Sequence, residues 1–138
     1  MEFLNNSFET GRVTHRTVQP EEIDELGHVN NAVYVAWIQE AATEHWYAVT
    51  KPDLQDKYIW ICSRHEIDYK GELLEGEQVE IRTWLGEFKG ARFDRFVEIR
   101  REGSDKPGVQ AKTTWVLMDK HARRPLRIKD EVLAPLRA

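Results

Sequence analysis

Cysteine is almost missing from this sequence: Cys62 is the only one in 138 residues. A disulfide within one chain and a multi-cysteine zinc site are therefore excluded. No stretch of about 18 apolar residues occurs, so no membrane span is expected. Met1 to Thr10 has neither a basic n-region nor a long apolar run, so no signal peptide is expected. Without one, the Asn5-Asn6-Ser7 sequon carries little meaning, and the expected location is cytoplasmic. There is no phosphate loop, no dinucleotide glycine fingerprint, no G-x-S-x-G elbow and no H-E-x-x-H. The histidines (His15, His28, His45, His65 and His121) are scattered, with no two at metal-ligand spacing, so neither a metal nor a cofactor is expected. Excess positive charge is lacking too. Lys and Arg number 20 against 24 Asp and Glu, a net charge of -4, with a pI near 5.8. That balance argues against a nucleic-acid partner while leaving room for a local basic patch.

What is present is an ordinary folded composition: 41% hydrophobic and 32% charged residues, with five Trp, four Tyr and five Phe to fill a core. The length suits one domain, read as residues 1–138. Gly11 to Val18 reads as a first strand, with Val13, His15 and Thr17 on one side and Arg12, Thr14 and Arg16 on the other; Pro20 ends it. A polar turn, Glu21 to Asn30, leads into the one long helical pattern. Asn30 or Asn31 is suited to cap it. Tyr34, Trp37, Ile38, Ala41, Ala42, His45, Ala48 and Val49 recur at helical spacing, with Gln39, Glu40, Thr43, Glu44 and Tyr47 opposite. Lys51-Pro52-Asp53 ends the helix, and Leu54 to Lys57 reads as a linker.

The pattern then switches to period two. Tyr58 to Tyr69 holds Ile59, Ile61 and Ile67 in phase, and Cys62 within it reads as a small core residue. Val79, Ile81, Thr83 and Leu85 form a clear strand, and Glu87-Phe88-Lys89-Gly90 suggests a hairpin turn. Phe93, Val97 and Ile99 continue to Arg101; Val109, Ala111, Thr113, Trp115 and Leu117 form the last strand. A short helix is expected near Lys129 to Leu133. One strand, one long helix and four hairpin-joined strands make an α+β domain: one antiparallel sheet with one helix packed on it.

The turn and helix start, D-E-L-G-H-V-N-N-A-V-Y from Asp24 to Tyr34, resemble the signature of the hot-dog-fold acyl-CoA thioesterases, the family that includes 4-hydroxybenzoyl-CoA thioesterase. The pieces H-E-I-D-Y-K (65–70) and E-G-E-Q-V-E-I-R-T-W (75–84) are similar to that family's second and third strands. Together these cover about Val13 to Asp119. The resemblance implies one long central helix wrapped by a curved sheet of about five strands. It also implies homodimers or homotetramers with active sites at the dimer interface, and an acyl-CoA substrate.

Thioester hydrolysis needs little acid catalysis, because a thiolate leaves with a pKa near ~8.5. It needs a carboxylate, to attack or to activate water, and a donor for the developing oxyanion. A helix start offers unpaired amides and a partial positive charge. Asp24 occupies the family's catalytic-acid position, as nucleophile or general base. The Asn31 backbone amide is the candidate oxyanion donor. Gly27 would let the turn pass close to substrate, and His28 would line the site or orient the turn. Many relatives carry Asp where this chain has Glu22. Glu40 reads as solvated surface and His45 as a core histidine. Tyr34, Trp37 and Trp60 are candidates for an acyl pocket. Arg64, Lys89, Arg92 and the Arg123-Arg124 pair are candidates for the CoA phosphates, each with solvated surface as the plainer role. The other readings are a thioesterase for acyl carrier protein, a non-catalytic acyl-binding module, and a hot-dog dehydratase, whose His and helix acid His28 with Glu40 or Glu44 fit poorly.

Overall fold

Asn30 starts the structure's main element. In the computed structural model, which describes residues 5–138, its side chain accepts the Ala32 amide at 2.9 Å and caps helix α1, Asn31–Val49. Met1 to Leu4, the beginning of the segment read for a signal peptide, lie outside the described residues. Tyr34, Trp37, Ile38, Ala41, Ala42, His45 and Trp46 form the buried face of α1. Ala48, expected on that face, is exposed, and Trp46 takes its place. Asn31 to Val49 spans about 28 Å at 1.5 Å per residue.

Five strands cover this face: β1 (Arg12–Thr17), β2 (Tyr58–Tyr69), β3 (Gln78–Lys89), β4 (Arg92–Arg101) and β5 (Val109–Asp119). Their order is β1-β3-β4-β5-β2, every pairing antiparallel. This is the hot-dog arrangement that the motif implied. The sequence-based order of four strands joined by successive hairpins is corrected in one place: β2 and β3 are not neighbours. β3 pairs with β1, while β2 pairs with β5 at the far edge. Alternation alone says nothing about which strands meet.

Other expectations shift locally. Leu54 to Lys57 is no linker; it belongs to helix α2, Pro52–Lys57, which starts at Pro52, a residue preset for a first helical turn. The β3–β4 turn lies later than Glu87–Gly90: Lys89 pairs with Arg92, leaving Gly90-Ala91 at the tip, with Gly90 at φ +62. In β2 the register shifts between Cys62 and Arg64. Tyr58 and Trp60 pack on the core before this bulge and Ile67 after it, whereas Ile61 is 42% exposed. The in-phase trio Ile59, Ile61 and Ile67 is therefore broken, because a bulge inserts one residue and reverses the faces. Cys62 is half-buried beside that bulge. In β1 the helix-facing side is the arginine side: Arg12 and Arg16 meet Glu44 and Glu40 of α1 at 2.7 and 2.9 Å, and Val13 is exposed. The chain closes with α3, Asp130–Arg137, longer than expected.

The core falls into two apolar clusters. One gathers Tyr34, Trp37, Ile38, Val79, Val97 and Ile99 under the first half of α1. The other gathers Trp46, Leu85, Phe93, Leu117 and Val132 under its second half. A polar layer lies between them. Arg95 Nη1 donates to Thr83 Oγ1 at 3.0 Å, and Nη2 donates to His45 Nδ1 at 2.9 Å. Thr113 Oγ1 donates to the Arg95 carbonyl at 3.1 Å. His45 and Thr113 have no solvent exposure.

Burial, and then the Arg95 charge, push the His45 pKa down to about 3. An unfolded histidine titrates near 6.5. Below that pH the unfolded chain takes a proton that the folded chain refuses until about pH 3. Stability from neutral His45 is therefore complete above pH 6.5 and falls as pH falls, by up to ~1.4 kcal/mol per pH unit. His45→Gln keeps an acceptor for Arg95 but cannot titrate. Urea denaturation from pH 6.5 to 4.5 is expected to give a shallower loss for this variant than for the wild type.

Candidate active site

Residues 22–30 form a closed loop whose ends are tied together. The Asn30 amide donates to the Glu22 carbonyl at 3.0 Å, Ile23 bridges Val29, and the Asp24 amide donates to the His28 carbonyl at 3.0 Å. At the tip the Gly27 amide donates to the Asp24 carbonyl at 3.0 Å. Gly27 sits at φ +86 with open space where a side chain would be. Its role is thus to reverse the chain, a conformation that costs glycine little.

Asp24 is held within this loop by its own backbone and side chain. Its Oδ1 accepts the Leu26 amide at 2.9 Å, fixing the carboxylate in an Asx turn. Its Oδ2 has no hydrogen-bond partner among the described residues, so one oxygen stays available. At the helix start, the Asn30 side chain takes the Ala32 amide and its carbonyl takes the Val33 amide. The Asn31 amide has no partner among the described residues. A half-buried carboxylate with one oxygen open, on a loop that ends at the helix cap, and an open helix-start amide are the two kinds of group that acyl transfer to water needs.

His28 Nε2 lies 3.4 Å from Glu72 Oε2, so its ring is engaged sideways with the loop before β3. Glu22 was noticed in the sequence only as a departure from the family's Asp. In the structure it anchors the loop. Its Oε2 accepts Trp37 Nε1–H at 3.1 Å and lies 3.6 Å from Arg16, while its Oε1 accepts the Gln19 amide at 2.8 Å. A carboxylate eight residues ahead of a helix cap, preceded by an arginine-bearing strand, was the available signal.

The other candidates are dispersed. Tyr34 and Trp37, each 2% exposed, are core. They meet edge-to-face at 5.6 Å, and Arg16 stacks 4.6 Å over Trp37. Burial pushes the Tyr34 hydroxyl up to about 12. Glu40 is surface, paired with Arg16. Arg64 is paired with Glu66 at 3.1 Å. Lys89 and Arg92 are exposed cross-strand neighbours at the β3–β4 tip, and Arg123 and Arg124 are exposed after β5. Trp60 does line a cavity, of about 210 Å³, but at the other end of α1 from Asp24, with Trp46, Phe93, Arg95 and Trp115. Trp60 meets Trp46 at 5.8 Å and Phe93 at 6.3 Å. Asn31 to Trp46 is about 23 Å of helix. One chain therefore does not bring its own Asp24 and this cavity together. Arg95 was missed in the sequence, although it stands in phase with Phe93, Val97 and Ile99.

The model of the thioesterase-like superfamily matches residues 18–136. No curated protein matches the chain. Among solved structures, a predicted thioesterase from Bacillus stearothermophilus is 25% identical, covering 92% of this chain and 94% of that one, with a TM-score of 0.78. A 1,4-dihydroxy-2-naphthoyl-CoA thioesterase from Synechocystis is 15% identical over 91% and 95%, with a TM-score of 0.78. A hypothetical protein from Staphylococcus aureus, in complex with CoA, is 15% identical over 99% and 84%, with a TM-score of 0.84.

Removing the Glu22 carboxylate leaves the Trp37 indole N–H buried and unpaired, which costs about 1–3 kcal/mol. Urea denaturation is expected to show that loss for Glu22→Ala, and a smaller one for Glu22→Gln, which keeps an acceptor.

Proposed function

We propose that this chain, which belongs to the thioesterase-like superfamily, hydrolyses an acyl-CoA thioester to the free acid and CoA. The observation that carries the reading is one tied loop that holds the Asp24 carboxylate, its Oδ2 unengaged among the described residues, and ends at the cap of α1, whose Asn31 amide is open. Asp24 either attacks the thioester carbonyl, giving an acyl-aspartyl anhydride that a water then cleaves to the free acid and the restored carboxylate, or takes a proton from the attacking water. The carbonyl oxygen gains negative charge as the tetrahedral species forms, and the Asn31 amide at the helix start stabilises it. The thiolate departs without a strong acid. Gly27 keeps the tip of the loop free of side-chain bulk. His28, held by Glu72, and Glu22, held by Trp37, position the loop.

The active unit in this reading is a homodimer joined through β2, a twelve-residue strand at the edge of the sheet with Ile61 and Tyr69 exposed. Tyr69, at the end of β2, lies 5.9 Å from Tyr34 near the helix start; Trp60, near its beginning, meets Trp46 near the helix end. Two such edges pairing antiparallel about their midpoints set the Asp24 loop of one copy beside Trp60 of the other. That arrangement unites the carboxylate and the aromatic cavity that one chain keeps apart. The exposed Lys89 and Arg92 supply cations for the CoA phosphates, and the CoA bound to the Staphylococcus aureus relative supports a ligand of that class.

A thiol-release assay over acyl-CoA chain lengths checks the chemistry. Asp24→Ala and Asp24→Asn are each expected to lower kcat by at least ~10²-fold. Wild-type turnover in both would remove Asp24 from the mechanism. Light scattering at micromolar protein is expected to give the mass of a dimer or a multiple of it; a strictly monomeric mass argues against the shared site.

A further inference from the structure

Arg95 is 5% exposed and lines the cavity between the second half of α1 and strands β2, β4 and β5. Its hydrogen-bond partners are Thr83 Oγ1 and His45 Nδ1, both neutral groups. Among the described residues no carboxylate lies within ion-pair distance of it. Burial pulls its pKa down, yet only to about 10, so the guanidinium remains charged at neutral pH. A buried cation without an anion is rare in folded proteins, since nothing replaces the water it has lost. These two bonds leave three of the five guanidinium N–H groups without a partner among the described residues.

The walls around this cation are mainly aromatic, and the two other charged residues that line the space are engaged elsewhere: Asp94 Oδ1 accepts from Thr114 Oγ1 at 3.0 Å, and Lys120 Nζ donates to the Gln55 carbonyl at 3.2 Å. Trp46, Trp60, Phe93 and Trp115 surround the space, and Trp115 Nε1–H is already satisfied by Thr113 at 2.9 Å. The mouth lies at the exposed Thr43 and Tyr47. An apolar cavity of roughly 150 Å³ accepts benzene, so about 210 Å³ holds one ring and a substituent. We infer that this cavity takes a single aromatic ring bearing a carboxylate, with the ring between the tryptophans and the carboxylate on Arg95. The identification of that ring with the acyl group of the substrate rests on the hydrolase reading and on the shared dimer site above. On that footing the substrate is an aryl-CoA thioester with a second, anionic group on the far side of the ring. A guanidinium gives such a carboxylate two parallel hydrogen bonds, which a neutral ring lacks.

The pocket is tested apart from catalysis by titrating the full chain with benzoate and with its neutral counterpart, benzyl alcohol, while following tryptophan fluorescence. Wild type is expected to bind benzoate at least ~10-fold more tightly. Arg95→Met replaces a lone buried charge by an apolar chain of similar length, and its circular dichroism should remain native. It is expected to bind the two probes alike. Thr43→Trp, on the exposed face at the mouth, should weaken both by ~10-fold or more. No saturable quenching by benzoate, a preference that survives Arg95→Met, or unchanged benzoate affinity in Thr43→Trp each overturns the inference. Should Arg95→Met not fold, the wild-type ratio and Thr43→Trp decide alone. In the catalytic arm, kcat/KM for 4-carboxybenzoyl-CoA over benzoyl-CoA is expected to exceed ~10 in wild type and to fall to about 1 in Arg95→Met. Arg95-dependent benzoate binding without any thioester cleavage would keep the pocket and reject the hydrolase; cleavage without benzoate binding would do the reverse.

Discussion

Nineteen residues of helix lie across one face of a five-stranded sheet, and that contact constrains nearly everything else. A helix this long with Tyr34, Trp37, Ile38 and Trp46 on one face is stable only when those side chains leave water. The sheet meets the demand by presenting Val79, Ile81, Val97, Ile99 and Leu117 on its inner side. Because the helix is amphipathic, its polar face cannot be covered in the same way. Glu40 and Glu44 instead turn to Arg16 and Arg12 of β1, at the margin of the sheet. Exposed pairs of this kind add little stability each, but they align the first strand with the helix.

The loop before α1 inherits its rigidity from the same contact. Trp37 is buried because the helix docks, and its indole N–H must then find an acceptor. Glu22 provides it, so the chain segment carrying Asp24 is fastened to the core by the partner that Trp37 requires. A carboxylate on a freely moving loop would spend little time near the helix start. Here the loop is closed by two backbone hydrogen bonds flanking the Ile23–Val29 bridge and braced from beneath by Glu22, the kind of preorganisation that electrostatic stabilisation depends on.

The centre of the core departs from the apolar rule. Arg95, His45, Thr83 and Thr113 form a polar layer between two hydrophobic clusters. His45 Nδ1 accepts from the guanidinium, so its Nε2 carries the proton and has no partner among the described residues. Such a layer is costly by comparison with apolar packing. Polar groups placed against a cavity, where Arg95 stands, are how a mainly apolar pocket acquires selectivity.

Much of the architecture was legible in the residues. The turn Asp24 to Asn31, the helix cap, the buried stripe of α1 and the strands beginning at Tyr58 and Gln78 follow from local patterns: capping chemistry, period 3.6 and period two. So does the family, since the signature is a contiguous string from Asp24 to Tyr34. Pairing was not legible, because a strand's alternation is the same whichever neighbour it meets; hence β2 at the far edge and not beside β3. The bulge after Cys62 was invisible for the same reason, and with it the faces of Ile59 and Ile61. Trp37 and Tyr34 looked like pocket residues, since an aromatic at a buried position reads alike in a core and in a binding site. Arg95 shows the converse: a charge in an apolar phase looks like an interruption until the sheet closes over it. Sequence alone determined which residues stand before the helix, an acid, a glycine and a capping asparagine among them, because those relations are short-range. Tertiary structure alone decided that Glu22 braces the loop, that Arg95 is buried with no acid beside it among the described residues, and that the aromatic cavity lies about 23 Å of helix beyond Asn31, because those relations depend on segments that are distant in the chain and adjacent in space.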